Sequence, residues 1–171
     1  MQKIAKFFKI SEEQFVRDWC AETGCNASEA KSIYQKIRLP RRATTGSAGY
    51  DFFAPEAFSL VPYETIKIPT GIRVLIEDGW VLQLYPRSGL GFKYRLQMDN
   101  TVGIIDSDYF GADNEGHIFI KMTNSNRQGL TLSIAAGEAF AQGIFLPFGI
   151  TEDDDADGER TGGFGSTTKQ Q

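Results

Sequence analysis

The sequence predicts an all-β domain of the sandwich or barrel type, preceded by helices and followed by an arm. Three observations carry this reading. Between residues 37 and 150, short alternating or apolar runs recur at strand length, with Gly, Pro, Asn and Asp between them and no long helical stretch. Before residue 37 the apolar spacing follows the helical turn instead. After residue 150 apolar periodicity stops. The expected organisation is a helical N-terminal extension (1–36), a β domain (37–150) and a flexible C-terminal arm (151–171).

The first zone opens on Ser11-Glu12-Glu13-Gln14, a capping-box pattern with Ser11 as N-cap. Phe15, Val16, Trp19 and Cys20 follow at one-turn spacing, and Gly24 suits a helix stop. Asn26 and Glu29 open a second helix whose Ala30, Ile33, Tyr34 and Ile37 share a face. Two helices about a Gly turn invite a helix-turn-helix reading. Seven basic against five acidic residues over 1–38 support it only weakly. A surface appendage, with a protein partner for its helices, is the favoured expectation.

In the second zone, Ile72–Glu77 and Trp80–Tyr85 read as strands. Asp78-Gly79 between them signals a hairpin. Further strands are expected at Glu64–Ile68, His117–Thr123, Leu130–Ile134 and Glu138–Leu146. The third zone begins with an acidic run, Thr151 to Glu159, and continues into Gly162-Gly163-Phe164-Gly165-Ser166-Thr167. Such a composition cannot bury enough apolar surface to offset ordering.

Composition narrows the function. A chain of 171 residues can bury roughly 68–70 % of its unfolded surface without disulfide or metal staples. Cys20 and Cys25 match no zinc or redox spacing, and His117 is the sole histidine. Free thiols in a cytoplasmic protein are expected, with no secretion signal and no membrane span. The net charge of −4 argues against broad nucleic-acid binding.

Four further segments stand out, three of them with two readings. Ala48-Gly49-Tyr50-Asp51 places a carboxylate that caps a turn, or reaches a divalent cation through water. Pro86-Arg87-Ser88-Gly89 makes an ordinary turn, or a phosphate site from a guanidinium fork, a hydroxyl and accessible N–H groups. In Asn100-Thr101-Val102-Gly103-Ile104-Ile105-Asp106-Ser107-Asp108-Tyr109, Gly103 permits close approach of a ligand to backbone. Asp106 there is a turn cap or a base tuned by partial burial, and Tyr109 is core or a ring laid against a sugar. The fourth segment is Ala141-Gln142-Gly143-Ile144-Phe145.

Together, in this order and with Gly-Gly-Phe-Gly-Ser-Thr, these segments resemble the five-motif signature of the trimeric deoxyuridine triphosphatases (dUTPases). The resemblance covers about Ile37 to Thr168. It implies a jelly-roll-like distorted β-barrel of the β-clip type, and a homotrimer with active sites shared between subunits. It implies hydrolysis of dUTP to dUMP and pyrophosphate, with Mg²⁺ on the triphosphate and Asp51 supporting the metal's water shell. Asp106 would deprotonate the water that attacks the α-phosphorus. Asn100, Gly103 and Ile105 would read uracil, and Tyr109 would pack against deoxyribose. Arg87, Ser88, Gly89 and Gln142 would hold phosphate oxygens. From the arm, Phe164 would stack on uracil, while Arg160, Gly165, Ser166 and Thr167 would clamp the phosphates. The chain departs from the pattern at Ala139, where many members carry arginine, and in having only Thr161 between Arg160 and the Gly pair. A dCTP deaminase-related enzyme is the alternative, disfavoured by the intact Asp106 segment. A dUTPase with an added protein-binding role through residues 1–36 is another.

Overall fold

Residues 2–158 and Gly162 are described by the structure, a computed structural model. The chain order is β1 (Ala5–Lys9), α1 (Glu12–Thr23), α2 (Ala27–Lys36), β2 (Arg41–Arg42), β3 (Tyr50–Phe53), β4 (Phe58–Leu60), β5 (Thr65–Pro69), β6 (Ile72–Ile76) and β7 (Trp80–Pro86). It continues with α3 (Ser88–Tyr94), β8 (Leu96–Met98), β9 (Gly103–Ile105), a 3-10 turn (Ser107–Gly111), β10 (Phe119–Asn124), β11 (Leu132–Ile134) and β12 (Ala139–Pro147). The strands form sheets in the orders β1-β6, β5-β10-β8, β11-β4 and β2-β3-β12-β7-β9. Among the described residues these sheets do not close into a continuous barrel, so the expected barrel is an assembly of small packed sheets.

The helix signals act as read except at the Ser11 box, which forms only in half, because the Ser11 N–H goes to Glu115 and not to the Gln14 side chain. The Ser11 hydroxyl accepts from the Gln14 N–H at 3.1 Å. Gly24 takes the left-handed conformation at φ 73°, and its N–H reaches the Cys20 carbonyl at 2.9 Å. Asn26 and Glu29 form the reciprocal capping box. These caps satisfy backbone donors that the first helical turn leaves without partners.

Two expectations need correction. The hairpin at Asp78-Gly79 turns as expected, with Gly79 at φ 81°, but its strands part into different sheets. β6 pairs with β1, from Ala5 opposite Ile76 to Lys9 opposite Ile72, whereas β7 pairs with β12 and β9. The start of the chain is accordingly a strand, not a helix, and it occupies the edge of β6 that β7 would otherwise take.

Nor do residues 1–36 lie on the surface as an appendage. Phe7, Ile10, Phe15, Trp19, Ala30 and Ile37 belong to the same buried cluster as Phe52, Leu82, Ile105 and Phe140. Phe15 is fully buried and stacks on Trp19 at 5.4 Å between centroids. The amphipathic stripes that suggested a free docking hairpin are turned inward. Phe15→Ala is therefore expected to lower the unfolding free energy by about 3–5 kcal/mol, as for a buried aromatic. Denaturant unfolding followed by circular dichroism should show one transition at lower midpoint. A loss under about 1 kcal/mol would indicate helices that are not part of the core.

Polar contacts fasten the same segment. The Ser11 N–H and hydroxyl both donate to the Glu115 carboxylate, at 2.8 and 2.6 Å. Burial opposes charge on Glu115, but these two bonds and the nearby Arg73 and Arg17 bring its carboxyl below the usual range. His117 is fully buried. Its Nε2 accepts the Gly71 N–H at 2.8 Å, so its proton sits on Nδ1 and is donated to the Asp18 carboxylate at 2.6 Å. A backbone N–H can only donate, which fixes this tautomer and makes the contact a hydrogen bond from neutral imidazole. Burial lowers the His117 pKa accordingly, against the pull of Asp18. Asp18 is opposed by burial too, yet the His117 and Gln14 hydrogen bonds hold its carboxyl below the usual range.

Candidate active site

β12 lies between β3 and β7, and one row of residues crosses all three strands. Gln142 stands opposite Asp51 on β3 and opposite Tyr85 on β7. Arg87 follows β7, and its Nε lies 3.2 Å from Asp51 Oδ1. The Asp51 side chain is 17 % exposed and the Arg87 side chain 44 %, so the guanidinium is the accessible member of the pair. The Gln142 amide donates to the Pro86 carbonyl at 3.1 Å, and the Tyr85 hydroxyl donates to the Gln83 side-chain oxygen. A Cβ added to Gly49 would stand 2.5 Å from Gln142 Oε1, so a side chain there would displace the Gln142 amide. An open cleft of about 520 Å³ is lined by Tyr85, Arg87, Ser88, Phe92, Gln142 and Ile144 among others.

Ser88 and Gly89 open α3, with Arg87 as N-cap and no side chain bonded to that cap. The first N–H groups of a helix have no intrahelical partner, so their positive ends remain for an anion beside the guanidinium. The structure thus brings together Asp51, Arg87, Ser88, Gly89 and Gln142. Ala139, where arginine was expected, is buried opposite Phe53. The guanidinium near it comes from Arg38, which stacks over the Phe53 ring at 3.9 Å and donates to the Gly137 carbonyl at 3.2 Å.

The second group lies along the other edge of β7. Gly103 pairs with Leu84 and Ile105 with Leu82. A Cβ on Gly103 would come within 3.0 Å of Leu84 Cβ, so glycine lets this strand lie close to β7. Asn100 is exposed on the turn leading to β9, where Thr101 adopts φ 62° and the Val102 N–H reaches the Asn100 carbonyl at 2.7 Å. Ile105 is buried. Asp106 follows in extended conformation, half-buried, and its carbonyl accepts the Tyr109 N–H at 3.3 Å at the start of the 3-10 turn.

Tyr109 is placed as core. It is 2 % exposed, donates its hydroxyl to the His117 carbonyl at 2.7 Å and accepts from the Asn114 amide at 2.8 Å. So covered, the ring offers almost no free surface of this chain to a sugar. Of the two readings of Tyr109, its packing favours the core one. Gly116, at φ 70°, shapes the loop behind it; a Cβ there would stand 2.6 Å from the Tyr109 carbonyl oxygen.

The two groups do not meet within one chain. Ile105 sits opposite Leu82, and Arg87 lies five residues further along β7. At about 3.3 Å per residue this is roughly 16 Å of extended strand. Asp106 and Arg87 therefore serve opposite ends of the strand that carries both groups. Arg160, Phe164, Gly165, Ser166 and Thr167 lie outside the described residues. Sequence reasoning missed His117, Asp18, Glu115 and Ser11 as a connected set. His117 and Asp18 are 99 positions apart and Ser11 and Glu115 are 104 apart, so no motif spacing could link them.

The sequence model of the dUTPase family matches residues 35–168. A deoxyuridine 5′-triphosphate nucleotidohydrolase of Lactococcus lactis subsp. lactis is 44 % identical over 134 residues, covering 77 % of this chain and 88 % of the relative. One from Hahella chejuensis is 40 % identical over 145 residues, covering 80 % and 91 %. Among solved structures, the dUTPase from Streptococcus mutans superposes with a TM-score of 0.59 at 37 % identity, over 69 % of this chain and 91 % of that one. The dUTPase of Staphylococcus bacteriophage 80alpha has the same fold over 98 % of this chain, with a TM-score of 0.64 at 22 % identity. No helix among the described residues is long and apolar enough to cross a membrane. By the extent of the family match and the identity to these relatives, the chain belongs to the dUTPase family.

Proposed function

We propose that the protein hydrolyses dUTP to dUMP and pyrophosphate in a site completed by two copies of the chain. The observation that carries the shared site is the separation of Asp106 from the Asp51–Arg87–Gln142 row along β7. A base at the α-phosphorus and the groups holding the same triphosphate must lie within a few ångströms of one substrate. One chain spaces them too widely, and a symmetric homotrimer supplies the missing half from a neighbour.

In this reading Arg87, the Ser88 hydroxyl, the Ser88 and Gly89 N–H groups and Gln142 hold phosphate oxygens. Arg87 would exchange its Asp51 partner for phosphate, a change its exposure permits. The donor chemistry fits Mg²⁺ brought by the substrate. No cluster of three His, Cys, Asp or Glu side chains able to hold a metal occurs among the described residues, and Asp51 is a single carboxylate beside the phosphate donors. Mg²⁺ needs few protein carboxylates when phosphate oxygens and water complete its shell, and it offsets triphosphate charge. Asp51 would reach that water shell.

On the other half, the turn at Asn100 and the close-packed strand Gly103–Ile105 read uracil by backbone and amide hydrogen bonds. In this reading the same hairpin excludes thymine's methyl group. Asp106 takes the proton from the attacking water while the water's oxygen bonds to the α-phosphorus and the bond to the departing pyrophosphate breaks. Phe164 stacks on uracil; Arg160 and the Gly165-Ser166-Thr167 segment close over the phosphates. Pyrophosphate and ammonia release with dUTP, UTP, dTTP and dCTP, with and without Mg²⁺, tests the assignment. Pyrophosphate from dUTP alone is expected. Ammonia from dCTP would make the protein a deaminase instead. Phe15 and Trp19 of α1 and Ala30 of α2 pack into this chain's own core.

A further inference from the structure

Three contacts from the first 18 residues converge on the segment that follows Asp106. The Phe8 ring of β1 packs against Phe110 at 5.8 Å. Ser11, the cap of α1, holds Glu115. Asp18 of α1 holds His117. His117 is the hub: its ring bonds Asp18 and the Gly71 N–H, and its carbonyl accepts the Tyr109 hydroxyl. Tyr109 in turn bonds the Asp106 carbonyl through its N–H. A continuous hydrogen-bonded path thus leads from α1 to the backbone of the proposed base.

We propose that Asp18 is a positioning residue for dUTP hydrolysis, acting through His117 and Tyr109 on the turn that orients Asp106. The proposal rests on the reading of Asp106 as the base. Its physical content is the fixed tautomer. With Gly71 donating to Nε2, the Nδ1–H of a fully buried ring must find an acceptor, and Asp18 provides it. Without that acceptor the buried N–H is unsatisfied, and the ring must rotate or draw in water. Losing either ring contact loosens the tie of the 117 segment to Gly71 and α1, and the His117 carbonyl that holds the Tyr109 hydroxyl belongs to that segment. The groups that hold the phosphates stand apart from this path, on β3, β12 and the start of α3. The loss is accordingly in turnover and not in substrate binding, because a small displacement of a base weakens proton transfer steeply.

Steady-state kinetics with dUTP test this at a temperature where circular dichroism shows each variant folded. Asp18→Ala is expected to lower kcat by about tenfold with KM within about twofold. Asp18→Asn keeps an acceptor for the Nδ1–H and should restore kcat to within about twofold of the parent, even where its Tm is lower. That split between Tm and kcat is what a purely structural role would not produce. Tyr109→Phe cuts the same path at its other end without opening a cavity, so it decides the matter if Asp18→Ala does not fold; the same loss in kcat alone is expected. Unaltered kcat in a folded Asp18→Ala protein, or in Tyr109→Phe where the first is unfolded, overturns the proposal. Asp106→Asn run alongside separates the two readings. An inactive Asp106→Asn with a fully active Asp18→Ala removes only the positioning role, whereas an active Asp106→Asn removes the base itself.

Discussion

Asp106→Asn is expected to lower kcat for dUTP by about 10²–10⁴-fold, the range a positioned general base contributes. The amide has nearly the volume of the carboxylate and can occupy the same place before the 3-10 turn. Uracil and phosphate contacts come from other residues, so KM should change little. This pattern, turnover lost with binding kept, marks an interaction made in the transition state. The residue's surroundings suit the task. Ile105 before it is buried, and Tyr109 after it is anchored by its hydroxyl, so Asp106 stands on fixed backbone at both sides. Pre-steady-state product release and steady-state pyrophosphate assays would measure the effect. Retention of kcat within tenfold would place the base elsewhere.

Much of this was legible in the sequence where the signal is local. Ser11, Gly24 and the Asn26–Glu29 box cap their helices through side chains or φ values set by neighbours one turn away. The strands of the β zone fall within a few residues of the alternating runs because burial of one face selects the period. Arg87 and Gln142, expected at the phosphates, and Asp51, expected at the metal's water shell, come from three separate segments and are brought together by the pairing of β12 with β3 and β7.

What was not legible depends on partners far apart in the chain. Ala5–Lys9 is a five-residue strand whose edge partner, β6, lies some 67 residues away, from Ala5 opposite Ile76 inward to Lys9 opposite Ile72. Nothing local distinguishes it from the start of a helix. An Asp-Gly turn reports the turn and not the pairing, so β6 and β7 could separate after it. The inward orientation of α1 was hidden for a related reason: an amphipathic stripe shows that one face needs cover, and not whether the covering surface is this chain or another. His117 gave no signal at all, since its role depends on Gly71 and Asp18 meeting in space. Tyr109, with core and sugar both open to it, is held on the core side by its Asn114 and His117 contacts.

The shared site gives the second large effect. Arg87→Ala removes the exposed guanidinium from the phosphate row, and Asp106→Asn removes the base. Each variant alone should be nearly inactive, because every site in its homo-oligomer lacks one half. Refolded together in equal amounts, the two chains form mixed assemblies. A site is then intact when the copy providing Asp106 is the Arg87→Ala chain and the copy providing Arg87 is the Asp106→Asn chain. In a cyclic oligomer with random mixing this holds for about a quarter of sites. The effect needs no recombination of the chains, only a neighbour close enough to span the roughly 16 Å that β7 places between the two halves. The decisive measurement is the dUTP turnover of the mixture per chain. Recovery to about a quarter of the parent value is the result the divided geometry predicts. A mixture no more active than the average of its two components, once mass spectrometry shows mixed oligomers present, would mean that each chain builds its site alone.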